Sequence, residues 1–421
     1  MNKASKSRFA PAGKSAKALL FWLVAAGLTG LVCGFVGGAF HYAVDGVTHL
    51  RQNHHWLVFL MPVAGLVIVW SYRTAGLAND SGTNQIIAAV RSGQRPPLRL
   101  AFLIFIGSVL THLTGGSAGR EGAALQIGGS IAATLGRWFR LSERSTNIII
   151  MCGMSGLFSA LFGTPLTAAV FSMEVISIGI FHYSAFFPCL LSGLAATAVT
   201  RWMGVPPEAY PLMGAPAELE WKALLLTGLL AILCALLSIL FCVVMHKVGH
   251  LYQKLLPNQY LRVVVGGALV IVLTLLEGSC DYNGAGGHII HSAVMGTVHV
   301  PWAFALKILF TALTLGAGYR GGEIVPTFFI GATFGCTVAP FLGLHPAFAA
   351  AIGMIALFCG VVNCPLASIL LSVELFGSSH LLFFALACAL SYLISGKFSL
   401  YSSQKIIYSK LEPLFIDEYM H

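Results

Sequence analysis

An all-α polytopic membrane protein built from two related halves is the fold class the sequence predicts, on three observations. Only 9% of the 421 residues are charged and 57% are hydrophobic, against about 25% charged in a soluble domain. Uncharged apolar runs recur along the chain, and those at 18–44 and 223–245 are long enough to cross a bilayer, which takes about 20 residues. A sparse pattern also repeats: Pro165 and Pro365, and Glu174 and Glu374, each lie 200 positions apart.

Taken in order, residues 1–17 form a basic segment. Lys3, Lys6, Arg8, Lys14 and Lys17 precede the first apolar run, and no acid appears before Asp45. That bias predicts a cytoplasmic N-terminus with the lysines against phospholipid headgroups. The first run is too long for a signal peptide and lacks a small-x-small cleavage site, so it reads as a retained helix. A first membrane repeat is expected over 18–200, with apolar runs near 18–44, 55–72, 99–113, 123–138, 146–162 and 165–200. A polar, proline-rich linker follows at 201–222. The second repeat covers 223–400, with runs near 223–248, 261–279, 300–317, 326–341, 346–361, 364–376 and 380–396, and 401–421 is expected to hold a final helix and a short tail.

Several of these runs are too short to span about 30 Å of hydrocarbon. Half-helices are tolerated only where their ends line a cavity buried in protein. Thr164-Pro165 reads as a helix start, with threonine as N-cap and proline at the first helical position; Asn363-Cys-Pro365 repeats it less cleanly. Broken helices at matching positions in two halves point to a binding site at the repeat interface.

Glu121, Glu174, Glu323 and Glu374 lie in or beside apolar runs, where a mid-membrane carboxylate costs roughly 2.5–3.5 kcal/mol or more. Glu174 and Glu374, at matching repeat positions, are expected to accept from backbone or hydroxyl donors between helices. Glu121 follows Arg120 in a glycine-rich turn, Gly115 to Gln126, that opens a helix. The unpaired N–H groups there can hold the Glu121 carboxylate or a free anion in the same place, and that competition would act as a gate. A plain Arg120–Glu121 salt bridge is the simpler alternative.

The net charge of +9 resides mainly in short connections and at the N-terminus, which fits a cytoplasmic-loop bias rather than nucleic acid. Ten cysteines without C-x-x-C spacing read as small core hydrophobes, with neither a disulfide nor a metal framework; Cys280, His288 and His291 lack metal-ligand spacing. Gly153-Met-Ser-Gly156 matches an intramembrane serine-protease pattern, with His288, His291 or His380 as the imaginable base. Small residues allowing helices to approach is the plainer reading.

Four blocks in order, Gly119-Arg-Glu-Gly122, Phe162-Gly-Thr-Pro-Leu166 with Glu174, Gly321-Gly-Glu-Ile-Val-Pro-Thr-Phe-Phe329 and Phe398-Ser-Leu-Tyr401, resemble the CLC family of chloride channels and anion/proton exchangers. The resemblance runs from about residue 18 to Tyr401 and beyond. It implies a CLC-type fold of two inverted repeats with broken and half-spanning helices, assembled as a homodimer with a pore in each subunit. It also implies that Glu121 is the gating, proton-coupled glutamate, flanked by Arg120 and Gly122 in the anion-binding turn. Tyr401 would contact the central anion through its hydroxyl, and Ile324 would supply a backbone amide. Ser81 and Gly82 match the first anion motif, from which Asp80, Thr83 and Asn84 depart.

Glu323 stands where chloride-handling members have an apolar residue, and so looks like the bacterial fluoride/proton antiporter branch. A protonated carboxyl can donate to fluoride, a strong acceptor. A structural pair with Arg320 is the alternative. Val175 occupies the inner proton-transfer glutamate position of chloride exchangers, and Val325 a position where the fluoride branch often has threonine. The resemblance therefore implies fluoride export in exchange for protons at a bacterial inner membrane. A chloride/proton antiporter or a chloride channel is the alternative within the family. Expected partners are fluoride or chloride, protons, the lipid bilayer and a second copy of the chain; no metal, cofactor or nucleic acid is expected.

Overall fold

The computed structural model describes residues 12–216, 220–298, 300–412 and 414–421; Lys3, Lys6 and Arg8 lie outside them. Within these residues each half carries eight helices. The first half has α1 (Ala12–Asn53), α2 (Met61–Thr74), α3 (Thr83–Ser92), α4 (Leu98–Leu113), α5 (Glu121–Trp138), α6 (Glu143–Phe162), α7 (Pro165–Glu174) and α8 (Phe186–Trp202). The second has α9 (Trp221–Leu255), α10 (Gln259–Glu277), α11 (Gly287–Val294), α12 (Ala303–Ala317), α13 (Ile324–Leu342), α14 (Pro346–Val362), α15 (Pro365–Phe376) and α16 (Leu381–Ile394). Seven described segments are long and apolar enough to cross a membrane. Shorter helices such as α4, α12 and α15 fall below that length.

The halves pack alike and run in opposite directions. α5 lies on α6 and α13 on α14, while α1 meets α8 and α9 meets α16. A Cβ added at Gly128 would strike the Gly153 carbonyl, and one at Gly331 the Gly353 carbonyl, so both crossings bring backbone onto backbone. The C-terminal part of α1 lines one large cavity and that of α9 lines the other. The turns before α5 and α13 pair antiparallel: Gly119 N–H donates to the Gly322 carbonyl and Gly322 N–H to the Gly119 carbonyl, each at 2.7 Å.

The helix starts expected at Pro165 and Pro365 are present, but Thr164 does not cap. Its hydroxyl has no partner, because an acid from the other half reaches the same donors. Glu374 accepts from Leu166 N–H at 3.1 Å and Thr167 N–H at 2.9 Å. Glu174 accepts from Leu366 N–H at 3.1 Å and Ala367 N–H at 2.9 Å. Each glutamate ends or nearly ends its own helix and caps the start of the other, satisfying orphan amides at the positive end of the dipole.

The apolar run at 165–200 is not continuous. After Glu174 the β-branched residues Val175, Ile176 and Ile178 leave the helix for a short strand, β1 (Ser177–Ile178), and Gly179 turns at φ +89° before α8 begins. The final helix expected within 401–421 does not form. Lys405-Ile-Ile-Tyr408 and Phe415-Ile-Asp-Glu-Tyr419 make strands β2 and β3 instead, as their β-branched and aromatic content favours. β2 pairs parallel with β1 and antiparallel with β3. α3 and α11, of ten and eight residues, are too short to appear as hydrophobic runs.

Candidate functional site

Two cavities approach the paired turns from opposite faces. One, of about 670 Å³, is lined by Asp80, Ser81, Gly82, Gln126, Glu323 and Tyr401. The other, of about 620 Å³, is lined by His112, Arg120, Glu121, Glu208, Val325 and Phe328. Between them lie the starts of α5 and α13, where first-turn N–H groups have no intrahelical acceptor.

Glu121 opens α5 and is fully buried. Its Oε2 accepts from the Arg120 backbone N–H at 3.0 Å, and Oε1 has no hydrogen-bond partner, lying 3.6 Å from Arg120 Nε. The carboxylate is thus held by a backbone amide, with its second oxygen free. A Cβ at Gly119 would sit 2.7 Å from Glu121 Oε2 and 3.1 Å from Val325 N, so carboxylate and α13 start close on one spot where only glycine fits.

Arg120 is not given over to Glu121. Its Nη1 donates to His41 Nδ1 at 2.8 Å and its Nη2 to Glu208 at 2.9 Å, and the other Glu208 oxygen accepts from Tyr210 at 3.2 Å. Glu208 belongs to the stretch expected to be a mere linker. That stretch instead crosses the Glu121 cavity, tied down by Glu208 N–H to the Phe162 carbonyl and Tyr210 N–H to the Leu375 carbonyl.

On the other side Glu323 directly precedes α13, with its Oε2 buried and unpartnered. The proposed pairing with Arg320 is not made: Arg320 donates to Asp80 at 2.8 Å and lies over the Tyr72 ring at 3.9 Å. A Cβ on Gly122 would lie 3.2 Å from Glu323 Oε2 and 3.3 Å from Thr83 Oγ1, so the starts of α3, α5 and α13 converge. Thr83 Oγ1 donates to the Gly122 carbonyl at 3.3 Å. Tyr401 is buried, with no partner for its hydroxyl. Gln126 donates to the Gly122 carbonyl at 3.2 Å and leaves its own carbonyl oxygen unpaired. Ser81 is exposed on the wall of this cavity, and Gly82 precedes α3 at φ +67°.

Of the residues singled out from sequence, Ser81, Gly82, Glu323 and Tyr401 share one cavity, and Arg120 and Glu121 the other. Gly122 and Ile324 occupy the helix starts between them. Sequence reasoning missed His41, Glu208 and Gln126, and did not match Asp80 to Arg320. Charge accounting was the available signal for Glu208, since a cation at membrane depth needs its own acid. Ser155 sits in a helix contact, its hydroxyl donating to the Cys189 carbonyl at 2.8 Å; it is packed as glue between helices rather than displayed as a nucleophile.

The chain matches the family model for "Voltage gated chloride channel" over residues 64–396. It is 37% identical to the chloride/fluoride channel protein of Pseudomonas syringae pv. tomato, covering 92% of this chain and 87% of that one. It is 27% identical to the H(+)/Cl(-) exchange transporter ClcA of Vibrio vulnificus strain YJ016, over 92% and 88% of the two chains. Among solved structures it resembles that of a CLC-type fluoride/proton antiporter, with a TM-score of 0.89 and 30% identity over 92% of this chain and 98% of the other.

Proposed function

The chain belongs to the CLC family of voltage-gated chloride channels and anion transporters, and on that premise we propose that it exports fluoride in exchange for protons. The observation that carries the reading is the pair of buried carboxylates, Glu121 and Glu323, each with an unpartnered oxygen and each lining a different cavity. Fluoride or chloride dissolves readily among helix N-termini. A carboxyl that carries a proton adds a donor, which the strong acceptor fluoride uses best.

In this reading Glu121, once protonated, leaves the anion position it occupies, and Arg120 and Gly122 shape that position. Fluoride then passes the Ile324 amide and the Tyr401 hydroxyl, with Ser81 and Gly82 at the far wall and Glu323 donating to it. Val175 is buried at the end of α7 and takes no part in proton movement. Arg73, Arg91, Arg95, Arg137, Arg140 and Lys254 lie at helix ends and connections on the Tyr401 side. That bias supports a cytoplasmic Tyr401 cavity, an external Glu121 cavity and a cytoplasmic N-terminus at a bacterial inner membrane. We assign the chain two membrane repeats over 18–200 and 223–400, joined by 201–222, a homodimeric assembly and no enzymatic reaction. The names of the Pseudomonas relative and of the matching antiporter structure are in line with fluoride.

The test is efflux from liposomes loaded in parallel with fluoride or chloride while external pH is recorded. Fast fluoride efflux with proton uptake and little chloride movement is expected. The second reading, chloride/proton exchange or a chloride channel, is favoured by Ser81 and by the ClcA relative; chloride efflux as fast as fluoride efflux would establish it.

A further inference from the structure

The Glu121 cavity also contains a cation, Arg51, that meets no carboxylate among the described residues. Arg51, in the last turn of α1, is only 3% exposed and lines this cavity. Its Nε donates to the His112 carbonyl at 3.2 Å. Among the described residues its guanidinium has no carboxylate partner, and its Nη nitrogens make no hydrogen bond.

The acids around the same cavity are engaged elsewhere. Asp45 is 3.6 Å from His49, Asp281 is 3.1 Å from His288, Glu208 holds Arg120, and Glu121 accepts from the Arg120 backbone N–H and lies 3.6 Å from its Nε. A second buried basic side chain stands behind the wall: Lys307 donates to the Tyr282 carbonyl at 3.1 Å and the Gly284 carbonyl at 2.7 Å, with no salt bridge among the described residues.

The wall itself is built around Arg51. Gly115 and Gly284 adopt φ +83° and +64°, and a Cβ at Gly284 would lie 3.1 Å from Arg51 Nη2. Asn283 ties the two turns together by donating to the Gly115 carbonyl at 2.7 Å, and Gly284 N–H donates to the Gly116 carbonyl at 3.1 Å. A nearly buried guanidinium whose Nη donors open onto a cavity is suited to pair with an anion there.

We propose that Arg51 holds a small inorganic anion, a halide, in the Glu121 cavity, as a waiting site separate from the one Glu121 itself occupies. The site rests on the reading of this cavity as one mouth of the anion path. It raises the local anion concentration beside Glu121, where buried charge is weakly screened.

The experiment compares the full chain with Arg51→Gln and Arg51→Lys in liposomes, measuring the half-saturating halide concentration, the maximal rate and proton coupling. Arg51→Gln raises the half-saturating concentration about tenfold, the worth of one charge-assisted contact, with maximal rate and coupling little changed. Arg51→Lys recovers most of the difference. An unchanged half-saturating concentration in Arg51→Gln overturns the site. Bromide soaked into crystals of the unaltered protein decides independently of any variant: anomalous density within hydrogen-bond distance of the Arg51 guanidinium supports the site, and its absence at saturating bromide overturns it. If the unaltered protein moves neither halide, the transport reading fails while the bromide result still judges Arg51.

Discussion

At the scale of single residues, Glu121 and Glu323 differ in what holds them. Glu121 is held by one backbone amide and a loosely placed guanidinium, so replacing its carboxylate removes both the gate and the proton carrier. Glu121→Gln should let fluoride run down its gradient without proton movement, followed with a fluoride electrode and a pH electrode together; sustained proton pumping by this variant would remove Glu121 from the mechanism. Among the described residues Glu323 makes no salt bridge, and it lines the Tyr401 cavity. Glu323→Ala should therefore leave anion passage but shift the fluoride-to-chloride rate ratio at least about tenfold toward chloride, the worth of one donor. Glu208 restrains Arg120 from the far side. In Glu208→Gln the guanidinium is freer to turn to Glu121 and hold it in the path, and exchange slows about tenfold; an unchanged rate would make Glu208 a surface ion pair only. Glu121 was legible because an acid in a glycine-rich helix start has few other uses. The Asp80–Arg320 pair was not, since its members lie 240 positions apart and nothing local favours Asp80 over Glu323 as partner.

Among the elements, α7 and α15 show how a buried acid can be structural. Their starts are recognisable from Thr164-Pro165 and Cys364-Pro365, and their terminal acids were expected to accept from donors between helices. The exchange of caps between halves, however, exists only once the two helices lie antiparallel. Glu174→Ala leaves two amides at the start of α15 without an acceptor and should destabilise the protein by about 2–3 kcal/mol, read as earlier thermal unfolding in detergent. Glu374→Ala should match it, and a variant as stable as the parent would show that water replaces the cap. The C-terminal strands show the opposite balance. Met420 N–H donates to the Gln404 carbonyl and Ser399 N–H to the His421 carbonyl, so β3 clamps the loop carrying Tyr401. Short β-prone runs at the end of an apolar chain read as a tail or a last helix turn, because β1, the strand against which β2 pairs, is itself only two residues long and more than 200 positions away.

On the scale of the whole molecule, antiparallel halves create two cavities that end against the same pair of helix starts without joining. Cys280, half-buried at the wall of the Glu121 cavity, reports which way that cavity faces, because the other nine cysteines are buried. An impermeant maleimide added to intact cells should label Cys280 alone, and Cys280→Ser should abolish labelling. Burial and nearby Asp281 push this thiol up while Arg51 opposes them; since the thiolate is the reactive form, labelling should speed as pH rises. Labelling only after lysis would reverse the orientation. By itself the sequence determined the membrane class, the repeat and the residues whose chemistry is out of place in hydrocarbon, because transfer energies and helix-start signals are local and survive any folding. Only the tertiary structure decided which acid meets which cation, that Glu174 and Glu374 exchange caps, that the linker lines a cavity and that Arg51 meets no acid among the described residues. Those outcomes depend on contacts between segments far apart in the chain, where many pairings satisfy the same local rules and only packing selects one.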